Sequence, residues 1–301
     1  MEPKVKKTWK QVDGVLLLDK PVGLSSNDAL QKARRLFSAA KGGHTGTLDP
    51  LASGLLPLCF GEATKFSADL LAADKTYLAD LKLGMTTDSG DGEGQVTSTT
   101  AVNIAAGDIS RVLPLFSGTI SQIPPMHSAL KRDGRPLYEL ARKGVEIERA
   151  ARMVTIYSIE VVDFVADCLR LLVHCSKGTY IRVLAADIGT ALGCGAYLAA
   201  LRRTRVGDLD LAGAMTLEEI EAIDEAERSA VLQPVDALLC TLPRHDLDGN
   251  GAQRFGHGNP VEMPVGLSGK IRIYAGGRLL GLGEPGPGGL LWPKRLVQLA
   301  V

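Results

Sequence analysis

Aromatic residues make up only 5% of the 301 residues, and neither sign of charge is in excess. The 34 Lys and Arg residues balance the 34 Asp and Glu residues, whereas proteins that grip nucleic acid usually carry a basic excess. The whole-chain charge therefore gives no support for nucleic-acid binding. Charge is nevertheless segregated, because residues 200–207 (ALRRTRVG) hold three arginines and no acid, whereas residues 220–227 (IEAIDEAE) are acidic. The sequence therefore still allows a local basic surface.

The chain also lacks a disulfide pattern and a long apolar run. Its five cysteines are an odd number without CxxC spacing, which is typical of a reduced protein and predicts a cytoplasmic location. No stretch of about 18 apolar residues occurs, so we expect no membrane span. We also expect no signal peptide, because the charged N-terminus has no apolar segment behind it.

Several common catalytic and cofactor motifs are missing. The sequence contains no GxxxxGK[ST], no GxSxG and no HExxH, which argues against a P-loop nucleotide site, a nucleophile elbow and a zincin-type metal site. The five histidines are scattered along the chain, so zinc has little support. We therefore expect neither a metal nor a cofactor.

What is present predicts an α+β fold. Residues 14–20 are a short apolar run that predicts a buried strand, and residues 151–178 predict two long strands joined by a turn near Ala166 and Asp167. Residues 25–37 have helical spacing after a Ser/Asn/Asp cap cluster, and residues 179–203 favour a mostly helical segment. After about residue 240, Gly and Pro turns separate short strands. We accordingly divide the chain into 1–240 and a small β-rich part, 241–301.

Residues 42–58, GGHTGTLDPLASGLLPL, are poorly suited to a helix or a strand and predict a long loop. Glycines allow such a loop to pass close to a ligand, and Asp49 stands alone among small and apolar neighbours. A carboxylate beside an apolar run is costly to bury unless it is paired. One interpretation is structural: Asp49 caps a turn, with Pro50 at the first helical position. The other is functional and requires a cation and a substrate platform elsewhere.

The chain offers both requirements. Arg182 follows a predicted strand and a glycine turn, and it could pair bidentately with Asp49 and keep that carboxylate ionised. Tyr77 has a flat face that could stack on a base. Taken singly, Tyr77 is better explained as a half-buried strand residue, and Arg182 as an ordinary structural arginine.

A resemblance decides between these interpretations. GHTGTLDPLASGLLPLCFGEATK closely resembles the signature loop of the TruB-type tRNA pseudouridine synthases. Further segments resemble that family in the same order: DKPVGLSS, DKTYLADLKLGMTTDSGDGEG, IPPMHSALKRDGRPLYELARKG and CSKGTYIRVLAADIG. Together they cover most of residues 13–207. The resemblance implies the pseudouridine synthase fold, a mixed and largely antiparallel sheet with flanking helices, followed by a PUA-like RNA-binding domain. It also implies isomerisation of uridine 55 in the tRNA T-loop.

The resemblance also implies roles for individual residues. Asp49 matches the catalytic aspartate and Arg182 its cationic partner. The substrate-binding positions are His44, which helps displace the target base, Tyr77, which stacks on the flipped uracil, Tyr180, an aromatic contact, and Leu201, which lines the uracil pocket. Residues of about 120–150 resemble a mobile thumb that folds over bound RNA, and His127 stands where relatives often have Tyr.

Two other hypotheses stay open at this stage. The chain could be a scaffold that grasps the T-arm and elbow of tRNA and helps it fold, with or without chemistry. It could instead be a metal-dependent hydrolase that uses His44, Asp49 and the acidic turn at residues 88–93, although the ligand spacing is poor. We expect a monomer without an obligatory protein partner, since the implied site lies within one chain.

Overall fold

The computed structural model describes residues 8–128, 130–132, 134–141 and 144–298. The strands in this part of the chain are β1 (Gly14–Lys20), β2 (Gly42–His44), β3 (Ala52–Phe60), β4 (Lys75–Leu83), β5 (Met85–Thr87), β6 (Val96–Thr99), β7 (Gly118–Gln122), β8 (Lys131–Arg132), β9 (Arg135–Pro136), β10 (Arg152–Val165), β11 (Cys168–Cys175), β12 (Ala196–Val206), β13 (Leu209–Asp210), β14 (Arg244–Asp246), β15 (Val261–Glu262), β16 (Ile271–Ala275), β17 (Arg278–Pro285) and β18 (Leu290–Leu296). The helices are α1 (Ser26–Leu36), α2 (Ser67–Leu71), α3 (Ala106–Val112), α4 (Leu137–Ala141), α5 (Ile181–Ala191), α6 (Leu217–Ala222) and α7 (Gly249–Gly256). None of these helices is long and apolar enough to cross a bilayer.

The larger sheet has nine strands and is mixed but mostly antiparallel. Its main path runs β1-β3-β12-β4-β11-β10-β7, with β2 attached to β3 and β13 to β12. Only the β3–β12 contact is parallel, at the register Leu201↔Ala52. Helix α5 packs against β12, and α1 packs against β2 and β3. The expected α+β class, with a mixed sheet and flanking helices, is confirmed.

Strand β3 corrects the loop prediction for residues 42–58, and also the alternative that Pro50 opens a helix. From Gly54 to Phe60 every residue of β3 is buried. One edge pairs with β1 throughout and the other with β12 and then β2. A strand buried on both faces shows no polar alternation, so its sequence lacks the usual strand signal. Gly54 has φ +98°, and a Cβ there would lie 2.3 Å from the Arg203 carbonyl oxygen.

Strand β12 corrects the helical prediction for residues 196–203. The helix α5 ends at Ala191, and Gly193 and Gly195, both at positive φ, turn the chain back into the sheet. Ala and Leu favour helices in isolation, but this segment fills the gap between β3 and β4 and hydrogen bonds to both. The pairing available in the centre of the sheet outweighs that local preference.

The remainder of the chain forms a five-stranded sheet in the order β14-β16-β17-β18-β15. Short strands between Gly and Pro turns are therefore confirmed, whereas the helix α7, capped by Asp248, was not anticipated. Phe255 of α7 packs with Ile271, Ile273 and Leu291 in an apolar core. The division of the chain at residue 240 stays a prediction.

The predicted thumb includes a short hairpin and a helix. Strands β8 and β9 pair as a short hairpin, and α4 follows them. Residues 129, 133, 142 and 143, which the thumb prediction includes, lie outside the described residues, as do the ends of the chain at 1–7 and 299–301.

Candidate active site

Asp49 lies in the short connection between β2 and β3. Its backbone carbonyl accepts a hydrogen bond from the Ala52 amide at 3.0 Å, which closes the turn into β3. The residue before it, Leu48, is buried, while the Asp49 side chain is 42% exposed. The connection therefore anchors its backbone in the core and leaves the carboxylate partly exposed.

Arg182 lies in the first turn of α5 and connects two carboxylates. Its Nη2 atom is 2.9 Å from Asp49 Oδ2, and its Nη1 atom is 3.0 Å from Asp91 Oδ2. Nη2 also donates to the backbone carbonyl of His127 at 2.6 Å. The expected Asp49–Arg182 pair is present, but the guanidinium bridges two aspartates instead of forming a bidentate pair with one. Charge-assisted bonds of this kind fix both partners in place.

Asp91 was missed by sequence reasoning. It sits in the acidic turn at residues 88–93, yet its side chain is only 4% exposed. Its Oδ1 atom accepts from Ser89 Oγ and from the Glu93 amide. The turn is thus ordered around a buried carboxylate. No feature of the local sequence separates Asp91 from Asp88, which is why composition alone did not find it.

The groups around Asp49 shift its pKa in opposite directions. Burial raises the pKa of Asp49, the Arg182 guanidinium opposes that rise, and the nearby Asp91 adds to it. Lys20, fully buried at the end of β1, donates to the carbonyls of Pro21 and Leu24 at 2.8 and 2.7 Å. Burial lowers the pKa of Lys20 to about 8, and its remaining positive charge favours the ionised form of Asp49.

A cavity of about 330 Å³ opens beside Asp49. Five of the six predicted site residues line this space: Asp49, Tyr77, Tyr180, Arg182 and Leu201. They come from four elements that are distant in sequence, namely the β2–β3 connection, β4, α5 with the residue before it, and β12. The sheet order places β12 between β3 and β4, so Tyr77 and Leu201 lie on neighbouring strands in the centre of the larger sheet.

Tyr77 is held at the wall of this cavity by Arg203. The two residues are directly paired across β4 and β12. Arg203 is 1% exposed, and its Nε donates to the Leu55 carbonyl at 2.8 Å. Burial raises the pKa of the Tyr77 hydroxyl, so the ring stays neutral in the neutral pH range. Arg203 was not predicted, because in sequence it is one of three arginines that looked like a surface patch.

Tyr180 precedes α5, and its backbone is fixed by Gln122. The Tyr180 amide donates to Gln122 Oε1 at 3.0 Å, and Gln122 Nε2 donates to the Tyr180 carbonyl at 3.3 Å. Gln122 is 2% exposed and ends β7. The arrangement ties the start of α5, which carries Arg182, to the last strand of the larger sheet.

His44 faces a different space. It lines an adjoining cavity of about 720 Å³, which Asp49 and Arg182 also border. Its Nδ1 atom is buried without a hydrogen-bond partner among the described residues. Burial and the charge of Arg203 lower the pKa of His44, so the imidazole is neutral near pH 7. Asp49 thus stands between the cavity of Tyr77 and the cavity of His44.

The acidic turn does not assemble with His44 and Asp49 as a metal site. Within the described ranges, no group of three or more His, Cys, Asp or Glu side chains is arranged to hold a metal ion. The carboxylates of Asp49 and Asp91 are both engaged by Arg182. The described residues therefore offer no ligand set for the metal-dependent hypothesis.

Comparison with known proteins identifies the family of the chain. The model of the TruB family pseudouridylate synthase N-terminal domain matches residues 34–181, and two TruB C-terminal domain models match 182–240 and 243–297. A tRNA pseudouridine synthase B from Dechloromonas aromatica (strain RCB) is 72% identical over 295 residues, covering 98% of this chain and 99% of that protein. The chain belongs to the TruB family. All six predicted site residues lie in the parts of the chain that the first two family models match.

Other relatives extend the comparison. A tRNA pseudouridine synthase B from Azoarcus sp. (strain BH72) is 57% identical over 286 residues, covering 95% of each protein. Among solved structures, an H/ACA RNP bound to a substrate RNA containing 2′-deoxyuridine contains a chain with a TM-score of 0.72 and 24% identity. That match covers 95% of this chain and 85% of that chain. At this identity the likeness shows that the TruB fold is shared.

Proposed function

We propose that this TruB family member isomerises uridine 55 in the T-loop of tRNA to pseudouridine. The observation that carries the proposal is the Asp49–Arg182 ion pair, 2.9 Å between Nη2 and Oδ2, at the wall of a cavity that Tyr77 and Leu201 also line. Relatives at 57% and 72% identity carry the name tRNA pseudouridine synthase B. A carboxylate, a stacking face and an apolar wall are the groups that this reaction needs.

The target base must first leave its stack, because no side chain reaches its reacting atoms inside a folded T-loop. Unstacking costs a few kcal/mol, and stacking on an aromatic face recovers about 1–3 kcal/mol per base. Tyr77 supplies that face, Leu201 an apolar wall and Tyr180 a further aromatic contact. His44, on the other side of Asp49, fills the space from which the base departs.

The reaction then breaks the bond from C1′ to N1 and forms a bond from C1′ to C5. The hydrogen on C5 leaves as a proton, and N1 gains a proton, so the atoms of the base are conserved. Asp49 acts in this step as nucleophile or as charge stabiliser, and attack at C6 of the ring or at C1′ of the sugar both require an ionised carboxylate. Arg182 keeps Asp49 ionised against the effect of burial. No electron acceptor or group donor enters this balance.

The rest of the chain serves RNA binding in this proposal. Residues 1–240 form the catalytic domain, the insertion at about 120–150 closes over the bound T-arm, and residues 241–301 form a PUA-like RNA-binding domain. We further propose that the protein acts as a cytoplasmic monomer. Because the net charge is zero, either the salt dependence of binding is modest or a local basic patch supplies the attraction to phosphates.

The proposal is tested by tritium release from a T-arm RNA hairpin that carries [5-³H]uridine at position 55. We expect the wild-type protein to release the label, with or without a chelator, and Asp49→Asn to release none. A second hairpin, labelled at another uridine and carrying cytidine at position 55, should release nothing. Release from the second hairpin, or loss of release with chelator, would contradict the proposed site or the proposed chemistry.

A scaffold role in tRNA folding is compatible with the same binding mode and forms a second part of the proposal. Grasping the elbow of tRNA requires the binding surface and not the carboxylate. Asp49→Asn should therefore still accelerate the folding of a misfolded tRNA transcript, measured by recovery of aminoacylation. Loss of this effect in the variant would remove the scaffold role.

A further inference from the structure

The connection that carries Asp49 is held by a hydroxyl on a neighbouring helix. Ser26 is the first residue of α1 and is 2% exposed. Its Oγ atom accepts a hydrogen bond from the Leu48 amide at 2.7 Å and donates to the Leu48 carbonyl at 3.0 Å. Both polar backbone groups of the residue directly before Asp49 thus bind one side-chain oxygen. We infer that Ser26 is a positioning residue that sets the place of Asp49 in the reaction.

The same segment also holds the residue after Asp49. The Gly23 amide donates to the Pro50 carbonyl at 2.8 Å. Residues 23–26 therefore bracket Asp49, with a backbone contact on one side and the Ser26 side chain on the other. Because the Gly23 and Ala52 contacts are made by the backbone, Ser26 is the member of this set that a substitution can remove.

A hydroxyl suits this place because it can donate and accept at once. Leu48 is 3% exposed, so without the hydroxyl its amide and carbonyl stay buried and unpartnered. Leaving buried polar groups without hydrogen-bond partners is unfavourable. We therefore expect the connection between β2 and β3 to shift until these groups find other partners. A displacement of about 1 Å in a reacting group slows a reaction by about 100-fold. The loss should fall on the chemical step, because the Ser26 hydroxyl is used by the backbone of Leu48, directly before Asp49.

This inference rests on the proposed function, and one assay tests both. Single-turnover tritium release and tRNA affinity are measured for wild type, Asp49→Asn, Ser26→Ala and Asp28→Ala. The last variant is the matched control, because exposed Asp28 accepts from the capping residue Ser25 at 2.6 Å in the same helical turn and does not contact Leu48. Its removal weakens the start of α1 without touching the Asp49 connection.

We expect Ser26→Ala to lower the single-turnover rate by about 100-fold, with an affinity for tRNA within about threefold of wild type, and Asp28→Ala to keep the wild-type rate. A wild-type rate in Ser26→Ala, or equal losses in both variants, would overturn the positioning role. No release by the wild type would overturn the proposed function itself. If Ser26→Ala does not fold, Ser26→Cys decides, since a thiol fills the space but bonds weakly: a wild-type rate refutes the role and a rate reduced about tenfold supports it.

Discussion

The two sheets of the molecule differ in whether they contain buried charged side chains. In the part of the chain that the structure describes, every buried charged side chain belongs to the larger sheet or its connections: Lys20, Lys75, Asp91, Arg182 and Arg203. The core of the five-stranded sheet is apolar, and its Arg244–Asp246 ion pair is exposed. Burying charge is unfavourable unless it is paired. Three of the five, Lys75, Arg182 and Arg203, line the cavity of Tyr77, and Asp91 and Arg182 border the cavity of His44. In the proposed function, the larger sheet therefore carries the chemistry and the five-stranded sheet does not.

The largest effect should follow from removing the cation at the centre of the buried network. Arg182→Met leaves Asp91 buried and unpaired and removes the charge that opposes protonation of Asp49. We expect the single-turnover rate to fall by about 1,000-fold or more and the free energy of unfolding by about 3–5 kcal/mol. Tritium release and urea unfolding measure the two quantities. A variant with wild-type stability would show that the ion pairs of Arg182 do not stabilise the fold.

A smaller effect is expected at the wall of the cavity. Tyr77→Leu keeps an apolar side chain but removes the stacking face, which is worth about 1–3 kcal/mol, or about 5- to 150-fold in rate. Binding should change by no more than about threefold, because most RNA contacts are made to the backbone. The single-turnover rate and the affinity for tRNA are compared. Equal losses in both would mean that Tyr77 holds the RNA and does not promote the reaction.

The pH dependence of the rate should report the protonation of Asp49. Because burial raises the pKa of Asp49 above the usual 3.8, the ionised form is lost as the pH falls through that raised value. We expect the rate to fall about tenfold per pH unit below it. Asp91→Asn removes a charge that raises the pKa of Asp49 and should move this limb to lower pH. A limb that moves upward or stays in place contradicts the assignment.

The smallest effect on the rate should come from the apolar sheet. Ile273 is fully buried in the core of the five-stranded sheet, and Ile273→Ala should lower the free energy of unfolding by about 2–5 kcal/mol. Measured where the variant is folded, its single-turnover rate should stay within about twofold of wild type. A rate loss comparable to that of Tyr77→Leu would remove the distinction between the two sheets.

The fold could be predicted where the local signal and the tertiary context agree. The strand at residues 14–20 and the hairpin around Ala166 were found because their apolar runs and turn are bounded in sequence. Strands β3 and β12 were missed because both lie in the centre of the sheet. There, small residues and helix formers are stabilised by neighbours that are distant in the chain.

The site could be predicted only in so far as a resemblance supplied it. Asp49 attracted attention as a lone carboxylate, but nothing local separates Arg182 from other arginines. Asp91 was hidden in a turn whose composition suggests flexibility. Arg203 and Ser26 act through buried contacts with backbone groups at Leu55 and Leu48, and such contacts leave no trace in spacing or composition. The catalytic and binding roles of the predicted site residues stay predictions.

The most direct test of the central claim, that Asp49 performs the chemistry while the surrounding surface binds RNA, is to measure turnover and tRNA affinity together in Asp49→Asn. The amide keeps the size of the side chain and removes its charge, so the connection between β2 and β3 should be undisturbed. We expect no detectable pseudouridine and an affinity close to that of the wild type. Substantial residual turnover would contradict the role of Asp49 and direct attention to Asp91 or His44.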